Sequence, residues 1–213
     1  MTSKYSNSDY ARILIEDWCE SIRSEILKYD VSLLNERCPF LLPFLDGNYR
    51  GESGASEEMI YMIEKKLNVE LPKDYRAFVQ LTNRWPAPGL GPPGSAFLDI
   101  KEIGLYRDLY PSSYKIWMND QMSVDQYEQI GIYGAEQLPE CFCLQHLSDC
   151  VAISTQDGGE SYVLNPHVRN GDSWEAWWIG FHLPGAMRFS SFFSLLEYEI
   201  PRSIADFKSL LEF

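Results

Sequence analysis

Two periods run along this chain, and the longer one, 3.6 residues, is clearest from Ser56 to Asn83. Ser56 is placed to cap a helix, with Glu57 and Glu58 in the first turn, where carboxylates meet the positive helix end. Ile60, Ile63 and Leu67 follow at helical spacing, while Glu64, Lys65 and Lys66 face away. Asn68 suits a left-handed C-cap, and Pro72 is admitted in the first turn of a new helix. Tyr75, Phe78, Val79 and Thr82 give that second helix a buried stripe. The segment predicts two short helices joined by a tight corner.

The same period predicts a long amphipathic helix from Ser8 to Tyr29, capped by Ser8 or Asp9, with Ile15, Trp18, Ile22, Ile26 and Tyr29 in one stripe. Cys38 to Leu45 is apolar, but Pro39 and Pro43 forbid a continuous helix, so a buried extended connector is expected. Asp46 to Ala55 reads as a loop. Near the other end, Ser191 to Ile200 predicts a helix with Phe192, Leu195 and Leu196 inward, stopped by Pro201. Ser203 then caps a last helix through Phe213. The shorter period, two, marks strands at Ala96–Ile100, Val151–Ser154 and Ser161–Leu164, the last pair joined by turn chemistry at Asp157-Gly158-Gly159. Lys101–Leu109 allows a turn of helix, and Pro111–Met118 looks irregular or strand-like. Asp120–Gln129 is acidic with weak alternation, and Trp174–Ile179 reads as a strand or a half-buried aromatic platform.

One combination of residues goes beyond periodicity. An acidic helix start is followed by Ile60, Glu64 and Leu67, then by Leu71-Pro72 and Tyr75, then by Phe78 and Asn83. Further on come the Asp157-Gly158-Gly159 hairpin, Tyr162 and a Phe-rich helix. In that order these pieces resemble the SUKH superfamily, the Smi/Knr-type proteins, over about Gly51 to Ile200. The resemblance implies an α+β fold: a single SUKH-like domain with a curved, mainly antiparallel sheet flanked by helices. It places an N-terminal helical extension at residues 1–50, packed on a domain of residues 51–213. A second reading of the first helix, as a partner-binding or dimerising element, stays open. The resemblance also implies a binding protein without a catalytic set. Many members are bacterial immunity proteins that neutralise toxins, and others are fungal regulators of wall synthesis.

With 213 residues, 45% hydrophobic and 14% aromatic, the chain can bury a sizeable core. No apolar run approaches the ~20 residues of a membrane span. The start lacks a basic region followed by an apolar block, so a cytosolic protein is expected. The net charge is −13, and −9 of it lies from Lys101 onward. That disfavours nucleic acid, which needs a basic patch, and favours a basic protein partner such as a toxin domain. A monomer or weak dimer is expected.

Candidate chemistry changes this picture little. Gly89, Gly91 and Gly94 match a dinucleotide-binding pattern by letter, but a helix precedes them and Pro92-Pro93 interrupts, so no cofactor is expected. Cys141, Cys143, His146 and Cys150 are crowded, yet C-F-C is too tight for a zinc knuckle, so no metal site is expected. Five cysteines without a signal peptide point to reduced thiols. His146, His167 and His182 stand in no nucleophile context. The pairs Asp157/Glu160 and Asp172/Glu175 would serve acid–base work only in an apolar cleft, which leaves an uncharacterised hydrolase using a carboxylate pair or Cys141 as a distant alternative. What remains is a partner-binding face built from Trp85, Asp157, Glu160, Asp172, Trp174, Glu175 and Trp177, with Trp85 half exposed. Alternation puts Trp174 and Trp178 opposite Trp177, so at least one of the three belongs to the core. The function expected is an immunity protein, with a regulatory scaffold as the alternative.

Overall fold

A computed structural model describes residues 5–86, 96–119, 131–156, 158–181, 183 and 185–212. The expected corner forms. Ser56 Oγ accepts from Met59 N at 3.2 Å, and α3 (Glu57–Leu67) ends at Asn68 in the left-handed region, φ 54°. Pro72 stands just before α4 (Lys73–Leu81), where its missing N–H costs nothing. Glu64 differs from expectation. It turns inward and ties the corner, accepting from Leu71 N at 2.8 Å and from Arg76 Nη1 at 2.7 Å.

Ahead of this corner lie α1 (Asn7–Ile26), α2 (Val31–Arg37) and a 3-10 segment, Pro39–Leu45. Helix α1 starts two residues earlier than predicted by the Ser8 cap, because Ser6 Oγ accepts from Asp9 N. The 3-10 segment replaces the expected extended connector, with Leu41 and Phe44 buried. After the corner come β1 (Trp85–Pro86), β2 (Ala96–Phe97), β3 (Gly104–Leu105), α5 (Tyr106–Leu109) and α6 (Pro111–Asn119). The strand-like reading of Pro111–Met118 is corrected: Pro111 opens a helix whose Ser113 and Trp117 point inward. Exposed Ile116 and Met118 had blurred the period.

The sheet runs β3-β4-β5-β6-β7, antiparallel throughout and not closed, with β4 (Val151–Ala152), β5 (Ser161–Asn170), β6 (Ser173–Gly180) and β7 (Gly185–Phe189). A register shift between Asn165 and Arg169 marks a bulge in β5, which bends the strand. Helix α7 (Phe192–Glu212) follows and runs through Pro201. The expected stop fails because the buried stripe Leu196, Glu199, Ser203, Phe207 and Leu211 continues past it. Pro201 and Glu197, whose carbonyl loses its partner, are both on the solvent side.

Both faces of the sheet are covered. One, with Tyr162, Leu164, Trp174, Ala176 and Trp178, shares a core with α1, α3, α4 and α7. The other, with Val163, Trp177 and Ile179, packs with Tyr106, Trp117, Phe142 and Leu147. Aromatic rings dominate the first core: Tyr75, Phe78 and Phe97 each meet Phe192 with centroids 5.1, 5.1 and 5.6 Å away. Such pairs add about 0.5–1.5 kcal/mol each beyond burial. Helix α1 belongs to this core, and its Trp18 Nε1 donates to Ser203 Oγ at 3.1 Å. Asp74, buried in α4, accepts from Phe192 N at 2.9 Å and so tethers the start of α7. Burial pushes its carboxyl pKa up, against the backbone donors of Tyr75 and Phe192. No helix among the described residues is long and apolar enough to cross a membrane.

Candidate partner-binding surface

Among the described residues, the structure does not assemble the expected binding face. Trp85 is corrected from half exposed to fully buried, packed against Trp18, Phe44 and Tyr49 at 5.2, 5.6 and 6.2 Å between centroids. Gly51 makes room for it: at φ +83° a Cβ there would meet the Trp85 ring at 2.5 Å. Trp174, Glu175 and Trp177 are also buried, so none offers a surface anchor. The reason is coverage. Alternation sorts β6 onto two faces, as expected for Trp177 against Trp174 and Trp178, but helices and turns lie over both. Asp157, and with it the tip of the predicted hairpin, lies outside the described residues. The same holds for Gly89, Gly91 and Gly94, for Asp120–Gln129 and for His182.

The two remaining acids are separated. Glu160 precedes β5 and Asp172 sits in the turn after it, so a ten-residue strand, roughly 30 Å, lies between them. Asp172 is exposed and pairs with Lys73, Nζ to Oδ2 2.6 Å. Its carbonyl accepts from Lys73 N at 3.1 Å.

Sequence reading missed a buried polar group on the second face. Glu175 Oε2 accepts from Trp177 Nε1 at 2.6 Å and from Asn165 Nδ2 at 3.1 Å. The same Asn165 nitrogen lies 3.2 Å from His146 Nδ1. His146 stacks on His167, centroids 4.4 Å apart, and His167 Nε2 lies 2.8 Å from Asp149 Oδ2. Burial, and then the neighbouring His167, lower the His146 pKa. Cys150 beneath them is fully buried, and burial pushes its thiol pKa well up, away from thiolate chemistry. Asp172 and Glu175 do not make a catalytic pair, since one is in solvent and the other is sealed. Among the described residues no group of three or more His, Cys, Asp or Glu converges as metal ligands would.

At the surface, one cluster joins aromatic rings to charge. Arg202 lies 4.3 Å over the Trp178 ring and 5.5 Å from that of Tyr198. Its Nη1 donates to Glu199 Oε1 at 2.8 Å, and Trp178 Nε1 donates to Glu160 Oε2 at 3.3 Å. Tyr198, 41% exposed, also leans on Phe189, centroids 5.3 Å apart. Desolvation raises the Glu199 pKa to about 7, with Arg202 pulling the other way. Of the six expected residues that are described, only Glu160 belongs to this cluster. The signal that could have found it is the i, i+4 spacing of Tyr198 and Arg202, which a helix stop at Pro201 would have split. A second surface feature is a groove of about 530 Å³ along α3, lined by Met59, Met62 and Ile63 with Glu58, Lys66 and Lys101.

No curated protein matches the chain. A family model does, over residues 54–198, from just before α3 into α7. At family level this supports a protein-interaction module of the immunity or Smi/Knr type that is generally non-catalytic. The signature residues account for the match structurally: Glu64 ties the corner, Tyr75 and Phe78 pack on Phe192, and Asn83 Oδ1 accepts from Ile100 N at 2.8 Å. On a match that spans well over half of its length, the chain belongs to the SMI1/KNR4 family (SUKH-1).

Proposed function

We propose that this chain is an immunity protein, a stoichiometric inhibitor that occupies a toxin in the cytosol of the cell that makes it. The family match over residues 54–198 carries this reading. The net charge of −13 supports a basic partner, since complementary fields speed encounter. In this reading residues 51–213 form the binding domain and residues 1–50 an extension that completes its core. The contact surface is the α7 cluster. Tyr198 and Arg202 are the residue types that dominate interface energetics; Arg202 is held over Trp178, and Tyr198 packs between Arg202 and Phe189. Glu160 beside them and Asp172 at the far turn supply acidic groups for a basic toxin domain.

The test is co-expression with the product of the adjacent gene, scored by cell survival and by one-to-one co-purification. Survival with co-purification is expected for the native chain. Tyr198→Ala with Arg202→Ala should weaken the complex about 30-fold or more, the scale of losing an anchor worth ~2 kcal/mol. A chain that neither protects nor co-purifies would sink the reading. Full protection by the double variant would move the contact surface elsewhere.

A further inference from the structure

Helix α3 carries the family signature on its inner side and an unspent pattern on its outer side. Glu58, Met62 and Lys66 lie four residues apart along one exposed stripe. Met62 and the adjacent Tyr61 are each 60% exposed, on a helix whose inner residues Ile60 and Ile63 are buried. The stripe borders the groove of about 530 Å³, to which Lys101 adds a second cation. None of Glu58, Lys66 and Lys101 takes part in an ion pair among the described residues. This contrasts with the neighbouring Glu57 and Glu64, both held by Arg76. The Glu58–Met62–Lys66 stripe itself is an apolar centre with one charge sign at each end, about 6 Å away along the axis, and Lys101 stands beside it.

Such a pattern is complementary to itself reversed. We propose that the outer side of α3 binds a second copy of this chain, the two helices packed antiparallel about a two-fold axis at Met62. Symmetry then places Glu58 of each copy against Lys66 of the other, so one geometry makes two ion pairs, as an isologous interface requires. The antiparallel arrangement also opposes the two helix dipoles. Met62 meets its own mate at the axis, and the Met59–Ile63 side of the groove receives the mate's exposed apolar atoms. The interface is small. One eleven-residue helix per copy buries less than the ~800 Å² per partner of a standard complex, and two chains of net charge −13 repel at long range. The dimer is therefore weak, with a dissociation constant on the order of tens of micromolar.

Sedimentation velocity of the full chain over a concentration series from micromolar to hundreds of micromolar tests this. The native chain should pass from monomer to dimer across that range. Met62→Glu, on a 60% exposed side chain, should keep the fold and weaken the dimer tenfold or more. Glu58→Lys alone and Lys66→Glu alone should each do the same, because each sets like charges together at both contacts. An equimolar mixture of those two single variants should form a mixed dimer, since every contact then joins opposite charges. The double variant Glu58→Lys/Lys66→Glu should recover native affinity within about threefold. A native chain that stays monomeric throughout overturns the proposal. So does a dimer indifferent to these substitutions, or single variants that fail to pair when mixed. Toxin neutralisation by the α7 cluster is read separately, and either result leaves the other standing.

Discussion

Each face of the sheet hides a glutamate, and the two faces hold it differently. On the first face, Glu199 comes from α7 and meets Tyr162 and Arg202, with Arg202 reaching the surface between Trp178 and Tyr198. On the second, Glu175 belongs to the sheet itself and meets the neutral donors of Trp177 and Asn165. A side chain delivered by a helix at the edge of a core keeps a charged, partly solvated partner. One delivered by a central strand under a closed cover is served by indole and amide groups. The first arrangement can respond to pH through Glu199, while the second holds Glu175 by two neutral donors.

The comparison can be broken first at the aromatic hub of the first face. Phe192→Ala removes a ring that touches Tyr75, Phe78 and Phe97, and should cost about 3–5 kcal/mol. Urea unfolding monitored by tryptophan fluorescence measures it, and a loss under about 1 kcal/mol would show that the hub tolerates a void. Next in size is the pH response of Glu199. Its pKa in the folded chain, about 7, lies above the ordinary 4.5. The folded state therefore holds this proton more tightly, and the stability it contributes is complete below about 4.5 and lost as pH rises through about 7. The full change is about 3 kcal/mol at most, and Glu199→Gln should flatten stability between those pH values. An unchanged slope in the variant would assign the pH dependence to other groups. The smallest effect is expected at Glu175→Ala, which leaves the Trp177 and Asn165 donors without their acceptor, at about 2 kcal/mol. The same urea unfolding measures it, and a loss under about 0.5 kcal/mol would show that neither donor depends on the carboxylate.

What could be read from the residues was local. Ser56, Asn68 and Pro72 act within a turn of themselves, so the corner was legible in detail. Glu64 was misplaced because its partners, Leu71 and Arg76, arrive only after the chain has turned. Parity along β6 was right about sides and silent about what covers them, so Trp174, Glu175 and Trp177 were offered to a partner that cannot reach them. Pro201 carried a strong local stop signal, overruled by a buried stripe that holds α7 straight against the first face. The surface cluster was lost with it, since Tyr198 and Arg202 share a helix only if that stop fails. Distance along the chain separates the legible from the hidden. Glu160 and Trp178, 18 residues apart, meet only after the hairpin has closed.

The tether from Asp74 to Phe192 joins positions 118 residues apart. As the chain leaves the ribosome, the carboxyl that will anchor α7 is made long before the amide it awaits. Until α7 emerges, Asp74 lacks that donor and the Tyr75–Phe78 surface lacks its Phe192 cover. Nascent chains stalled short of Phe192 should therefore be open to chaperones and proteases, and emergence of α7 should close that surface.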